Sequence, residues 1–299
     1  MRLPACLPER PHSARIELGE RTARLLSWWG GKPRRSGGRK GGLGLEIYGI
    51  RTRLVGPGDD LVGLAIEGAR ASGLEIRDGD ILAFSAKAVA TAMNRLVRLS
   101  DVRPSPAAVE LAMRHSMDPA FVEVIVREAD QILGGVEHAL ATIKMGILVA
   151  NAGVDQSNSP PGYVALWPED PQAAAEGLKA SFSRRGLDVG VLIIDSRTLP
   201  LRMGNSGVAI GIAGFRAVED LRGKPDLYGR PLRLKRFMVA DNLASAAQLV
   251  MGETDESRPV ALIRGAPVTY GSGYGIGEAY IPPDQCLFMH LLHCGDKGR

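Results

Sequence analysis

The sequence predicts an α+β protein, built from mixed sheets and helices, and three observations carry that reading. Short apolar runs bounded by turn residues and segments with helical spacing occur along the same chain. They do not alternate in a regular βαβ rhythm. No internal repeat is visible. One domain is expected over residues 45–299, preceded by a disordered basic extension over residues 1–44.

Taken in order, the elements are these. Residues 1–44 contain GGKPRRSGGRKGGLG, too rich in Gly, Arg and Lys to bury a core. Within them only Glu17–Trp29 has loose helical spacing. Leu45–Ile50 reads as a strand. Asp59–Ser72 reads as a helix through Leu61, Leu64, Ala65 and Ala69, with Gly73 to stop it. Asp80–Ser85 is a short strand after an Asp-Gly turn. Ser105–Met113 and Pro119–Gln131 read as helices, Ile143–Ala150 as a strand, and Pro171–Arg185 as an Ala-rich helix. Asp188–Asp195 is a buried strand ending in an acid. Val208–Ile212 is a Gly-rich strand or turn. Arg233–Ala240 reads as a strand, Asp241–Met251 as a helix, and Val260–Ile263 as the last core strand.

Composition narrows the function classes. Hydrophobic residues make up 45% and charged residues 23% of the 299, an ordinary globular balance. No apolar run approaches the roughly 20 residues that span a bilayer, and the N-terminus lacks the apolar stretch of a secretory signal. A cytoplasmic protein with no membrane partner is expected. The net charge of +4 is uneven. Residues 1–44 hold ten Lys/Arg against three Glu, a surplus of +7, which leaves −3 for the rest. The body is therefore not a basic nucleic-acid surface. Cys6, Cys286 and Cys294 are odd in number and form no CxxC pair, so free thiols are expected rather than disulfides or a zinc site. His290 and His293, near two of them, fit no standard zinc spacing, and His138 beside Glu137 reads as a satisfied histidine.

Three segments place an acid at the edge of an apolar run. In NAGVDQSN, Asp155 and Asn158 project from a turn that Gly153 permits. Carboxylate with amide suits a hard cation and a nucleotide, and equally an Asx turn bonded to its own backbone. In IIDSR, Asp195 follows a buried strand, a common place for a Mg²⁺ ligand with Ser196 beside it, and equally a helix N-cap. In MGETDE, Glu253, Asp255 and Glu256 follow a helix whose dipole they oppose, which a cation would offset; a solvated acidic loop is the alternative. Lys87, Arg197, Arg202, Arg216 and Arg222 could meet phosphates. No GxxxxGK[ST] and no well-placed GxGxxG occurs.

The strings GPGDDLV, GDILAFSAKAV, VANAGVDQSN, DVGVLIIDS, GVAIGIAGFRAVEDLRGKPDLYGR and ADNLASAAQLVMGETDE together resemble the coenzyme F420-0:L-glutamate ligase family, over roughly Leu45 to Gly265. The resemblance implies the F420 gamma-glutamyl ligase-like fold as an intertwined homodimer. It implies GTP-dependent addition of L-glutamate to coenzyme F420-0 through an acyl phosphate, and then a second, γ-linked glutamate. Two Mg²⁺ or Mn²⁺ ions and K⁺ are the implied cofactors. The implied metal ligands are Asp155, Asp195, Ser196 and Glu253. The implied nucleotide contacts are Gly49, Ile50, Arg51, Thr52, Lys87 and Asn158, and the loop Met251, Gly252, Thr254, Asp255, Glu256, Ser257 and Arg258. No catalytic acid or base is implied. There are two departures. Thr91 stands where many relatives carry a nucleotide-contacting lysine, and Lys87, one turn earlier, is the candidate to replace it. Asp195-Ser196-Arg197-Thr198 replaces a common DTNGR. A silent metal–nucleotide sensor or scaffold, or a ligase acting on another carboxylate, are the alternative readings.

Overall fold

The computed structural model describes residues 44–289. The expected extension up to residue 43, its Glu17–Trp29 helix, Cys6, His290, His293 and Cys294 lie outside the described residues. Cys286 is a free, partly buried thiol.

The apolar runs assemble into one five-stranded sheet. β1 (Glu46–Ile50), β2 (Ile81–Ser85), β8 (Gly190–Thr198), β9 (Asn205–Ala213) and β12 (Val260–Arg264) pair in the order β1-β12-β2-β8-β9. Only β2 and β8 run parallel in it; the other pairs are antiparallel. Successive side chains leave a strand on opposite faces, and both faces are covered. Leu82, Phe84, Val191, Ile193 and Leu262 pack with α1 (Leu61–Ala71), α5 (Pro171–Ser183) and Trp167. Ile81, Ala83, Leu192, Ala261 and Ile263 pack under α6 (Val239–Met251). Each buried Leu, Ile, Val or Phe among these contributes roughly 1.5–3 kcal/mol of transfer free energy, and each Ala less. At Gly207 of β9 a Cβ would stand 2.4 Å from the Ala244 backbone. A glycine there is what lets α6 lie directly on the sheet.

The long connection from β2 to β8 carries a second lobe. It begins with α2 (Ala86–Ala92), capped by the Ser85 hydroxyl, which accepts from the Ala88 N–H. It continues through β3 (Leu96–Arg98), α3 (Pro106–His115) and α4 (Pro119–Glu128). A meander of β4 (Gln131–Val136), β5 (Ala139–Lys144) and β6 (Ile147–Ala150) follows, then β7 (Tyr163–Ala165), which pairs with β3. The two helices, β5 and β7 share a separate core of Ala108, Val122, Ile125, Leu140 and Val164. A small ladder of β10 (Val218–Asp220) and β11 (Arg236–Met238) closes the list.

Several expected boundaries move. The single strand Ile143–Ala150 is a hairpin, because Met145 and Gly146 both adopt positive φ and turn the chain in two residues. The helix from Pro119 stops at Glu128, and Gln131 already belongs to β4. The strand ending at Asp195 runs on to Thr198, because β9 keeps supplying ladder partners down to Asn205. Val239 and Ala240, expected in a strand, open α6. α2, β3, β4, β7 and β10 are additional to the sequence reading.

Buried Glu123 ties α3 to α4. It accepts from the Ser105 N–H at 2.8 Å and pairs with Arg127 at 2.8 Å. Hydrogen bonds from Ser105 and then Arg127 hold its carboxyl down at about 2, below the ordinary 4.5. Its folded value is depressed, so its contribution is present above pH 4.5 and is lost as pH falls from 4.5 towards 2. Glu123→Gln is therefore expected to unfold earlier than wild type at neutral pH, with the difference in Tm shrinking through that window. Thermal melts between pH 7 and 2.5 measure it; a difference that does not change with pH would refute the assignment.

Candidate active site

The topology delivers the site. β2 and β8 are parallel with Ser85 opposite Ile194, so Lys87, just past β2, and Asp195 arrive at the same sheet edge. Val260 opposes Phe84 and Ile50, so the loop entering β12 and the turn leaving β1 arrive there too. The Thr52 N–H donates to the Ser257 carbonyl at 3.1 Å, and Arg258 reaches the Val250 carbonyl at 3.2 Å. A Cβ on Gly49 would stand 2.4 Å from that same carbonyl. The expected segments 49–52 and 251–258 are thus one surface.

The NAGVDQSN segment reaches this edge through a strained turn. Asn151, Ala152 and Gly153 take φ of 53°, 54° and 70° in succession. For residues with a Cβ this costs roughly 1–2 kcal/mol each, and local bonds offset it. The Asn151 side chain accepts from the Leu140 N–H at 2.8 Å. The buried Thr142 hydroxyl donates to the Val149 carbonyl and accepts from the Ala152 N–H. Asp155 then pairs backbone to backbone with Ala165.

At the end of that turn Asp155 meets Lys87. The Lys87 Nζ lies 2.7 Å from Asp155 Oδ2 and 2.9 Å from Ser157 Oγ, and also donates to the Ser157 carbonyl. Ser157 donates both its N–H and its hydroxyl to Asp155, at 2.8 and 2.7 Å. The Asx turn is formed, and the same carboxylate still reaches across the chain to a lysine. Burial pushes the Asp155 carboxyl up, but the Lys87 bond and charge and the Ser157 bonds outweigh it and set it below the ordinary range. Asn158 donates to the Thr254 carbonyl at 2.8 Å, joining this loop to the 251–258 loop.

Asp195 behaves oppositely. Burial, with the Asp155 charge as a lesser cause, pushes its carboxyl up to about 6 against hydrogen bonds from Trp167 and the Ser196 N–H and the charge of Lys87. The buried Trp167 indole N–H donates to Asp195 Oδ2. Asp195 sits inside β8, so it is not the N-cap of a helix. Ser196 stands opposite Gly207, on the α6 face, and its side chain does not share a face with Asp195. Glu253 accepts from Gln248. Among the described residues no three His, Cys, Asp or Glu side chains gather into a metal cage, so Glu253 does not join the Asp155–Asp195 pair.

That pair still fits a hard divalent cation. It offers carboxylate oxygens only, and one of its members is pushed towards protonation by burial and by the like charge of the other, a strain that a bound cation relieves. Lys87 supplies positive charge in its place. Thr91 lies at the far end of α2, so Lys87 is the lysine at the acidic pair. Sequence reasoning missed Trp167 and Thr142. The signal for Trp167 was its being the one tryptophan outside the basic extension.

The class that emerges, once known proteins are compared, is an enzyme, an amino-acid ligase. The chain belongs to the F420-0:gamma-glutamyl ligase family, whose model matches residues 49–265. It is 45% identical to the coenzyme F420:L-glutamate ligase of Methanopyrus kandleri over 215 residues, covering 71% of this chain and 83% of that protein. It is 38% identical to the protein of the same name from Methanothermobacter thermautotrophicus over 228 residues, 75% and 90% of the two chains. Against the one from Archaeoglobus fulgidus it is 36% identical over 250 residues, 83% and 98%. Among the described residues no helix is long and apolar enough to cross a membrane.

Two substitutions separate the scaffold of the site from its chemistry. Gly153 faces Trp167, and a Cβ there would meet the indole at 2.2 Å at a φ of 70°. Gly153→Ala should destabilise the fold by roughly 2 kcal/mol or more, from strain and overpacking together. Trp167→Phe removes the donor together with the part of the indole that packs on Gly153, and leaves a small void. It should lower Tm by several degrees while leaving the chain folded, and lower turnover. Denaturant melts and rate assays distinguish the two; a Trp167→Phe enzyme of wild-type rate would show the indole bond to be incidental.

Proposed function

We propose that the enzyme joins L-glutamate to coenzyme F420-0 at the expense of GTP, giving F420-1 and then F420-2 by a γ-linkage. The observation that carries this reading is the convergence of Lys87, Asp155 and Asp195 with the 49–52 and 251–258 loops on one sheet edge. The names of the relatives supply the substrates.

In this reading the F420-0 carboxylate attacks the γ-phosphorus of GTP, the bond to the GDP oxygen breaks, and an acyl phosphate forms. The glutamate amine then attacks the carbonyl, phosphate leaves with the C–O electron pair, and the amine gives up its proton as the amide forms. The chain's part is to hold charge and position. Lys87 lies where a polyphosphate would meet an ammonium. The backbone of Gly49, Ile50, Arg51 and Thr52, the Asn158 amide and the 251–258 loop cradle the nucleotide. Asp155 and Asp195 would hold Mg²⁺ or Mn²⁺, with Ser196 and Glu253 as candidate oxygen donors to a second ion and K⁺ as a further cation. A bound divalent ion there would neutralise phosphate charge. We also take the enzyme as a homodimer. Leu201 and Met203 on the β8–β9 hairpin, and Leu227 and Leu234 between β10 and β11, stand essentially fully exposed, and large apolar side chains left in water on two loops are what a second copy would cover.

Mass spectrometry of F420-0 incubated with the protein, GTP, L-glutamate and Mn²⁺ tests the reading. Gain of one or two glutamyl residues, dependent on GTP, is expected. Asp155→Asn should lower that yield at least roughly 100-fold with the fold intact. No gain despite GTP binding would turn the reading to a sensor or to another carboxylate acceptor.

A further inference from the structure

A second polar pocket, of about 300 Å³, lies beside Trp167 in the second lobe. Its walls include Arg95, Arg127, Glu128, Asp130, Lys144 and Glu169. Lys144 is nearly fully buried, with its side chain 5% exposed. It bonds Glu128, and Arg95 reaches both oxygens of the same carboxylate at 3.2 Å. Arg127 is committed elsewhere, to Glu123. Arg95 and Lys144 thus share one carboxylate, and Asp130 and Glu169 line the same pocket, so its wall presents both signs of charge. A wall of both signs complements a zwitterion, whose carboxylate and ammonium each meet an opposite charge. Asp130, whose carboxylate accepts from the Met145 N–H beside Lys144, and Glu169 are the further acids of the lining. They repel a polyphosphate and attract an ammonium.

The position ties the pocket to the reacting edge. The Lys144 Nζ lies 5.9 Å from the centroid of the Trp167 ring, and that indole bonds Asp195. Arg95 also donates to the Trp167 carbonyl at 3.2 Å. The pocket is one indole away from the acidic pair. Its volume suits a free amino acid and is small for a nucleotide.

We propose that this pocket binds the amino-acid substrate, an α-amino dicarboxylate, with carboxylate on Arg95 and Lys144 and ammonium towards Asp130 and Glu169. The assignment rests on the ligase reading. Arg95 and Glu169 are then specificity residues for the amino acid and not for the nucleotide.

The test is calorimetric titration of L-glutamate, and separately of GTP, into the full-length protein with Mn²⁺. Wild type, Arg95→Gln, Arg95→Lys and Glu169→Gln are compared, together with the KM for each substrate. Arg95→Gln should weaken L-glutamate at least roughly tenfold, about 1.4 kcal/mol, with GTP binding within twofold. Arg95→Lys should recover part of the loss. Glu169→Gln changes an exposed side chain outside the sheet cores and should weaken L-glutamate without lowering Tm. L-glutamate affinity unchanged in both Gln variants, or GTP and glutamate weakened together, would overturn the pocket. If wild type makes no glutamylated product, the ligase reading fails by itself. The pocket is then judged on binding alone: L-glutamate bound by wild type and lost in Arg95→Gln supports it, and no binding to wild type refutes it.

Discussion

The reacting edge depends on where one carboxylate is put. Asp195 emerges from a strand whose preceding residues, Val191 to Ile194, are all buried. It meets an indole N–H on one side and the charge of Asp155 on another. An acid so placed is partly withdrawn from water, and its ionised form is favoured by positive charge nearby. Lys87 answers part of that need through Asp155. Trp167 is the hinge of the arrangement, since it packs into the main core, stacks against Gly153 and bonds Asp195. Loss of the left-handed turn at Asn151–Gly153 would let the Asp155 loop drift and leave Asp195 without its neighbour.

The sheet explains why distant segments meet. Residues 49–52, 87, 195 and 251–258 are spread over more than two hundred positions, yet the strand pairing brings them to the same edge, Asp195 from within β8 and the others from beside strand ends. The parallel pairing of β2 and β8 is what permits a whole lobe to be inserted between Lys87 and Asp195. That lobe then returns Asp155 and Trp167 to the edge from its own separate core. The site is therefore built between two cores, a common place for ligands in enzymes of mixed architecture.

Much of this was legible in the residues. The strands at 46–50, 81–85 and 260–264 and the helices opening at Pro106, Pro119 and Pro171 follow from apolar runs and from proline just inside a helix start. Asp155 and Asp195 stood out as acids at the ends of apolar runs. Pairing was not legible. A two-residue turn at Met145-Gly146 carries no Asn-Gly or Asp-Gly signal, so the hairpin read as one strand. Asp195 read as a strand end because its polar successors gave no sign of a partner strand continuing to Asn205. Short elements such as β3 and β7 exist only through each other. Trp167 could not be placed from sequence at all, since its role comes from contacts with Gly153, Lys144 and Asp195 that lie 14, 23 and 28 positions away.

The central claim is that Asp155 and Asp195 act as one cation-holding pair at the nucleotide edge. Electron paramagnetic resonance of Mn²⁺ titrated into the protein with GTP addresses it directly, comparing wild type with Asp155→Asn, Asp195→Asn and the remote surface variant Glu110→Gln. The account predicts that each Asp variant weakens Mn²⁺ binding roughly tenfold or more while Glu110→Gln binds as wild type does. Mn²⁺ binding in both Asp variants indistinguishable from wild type would contradict it.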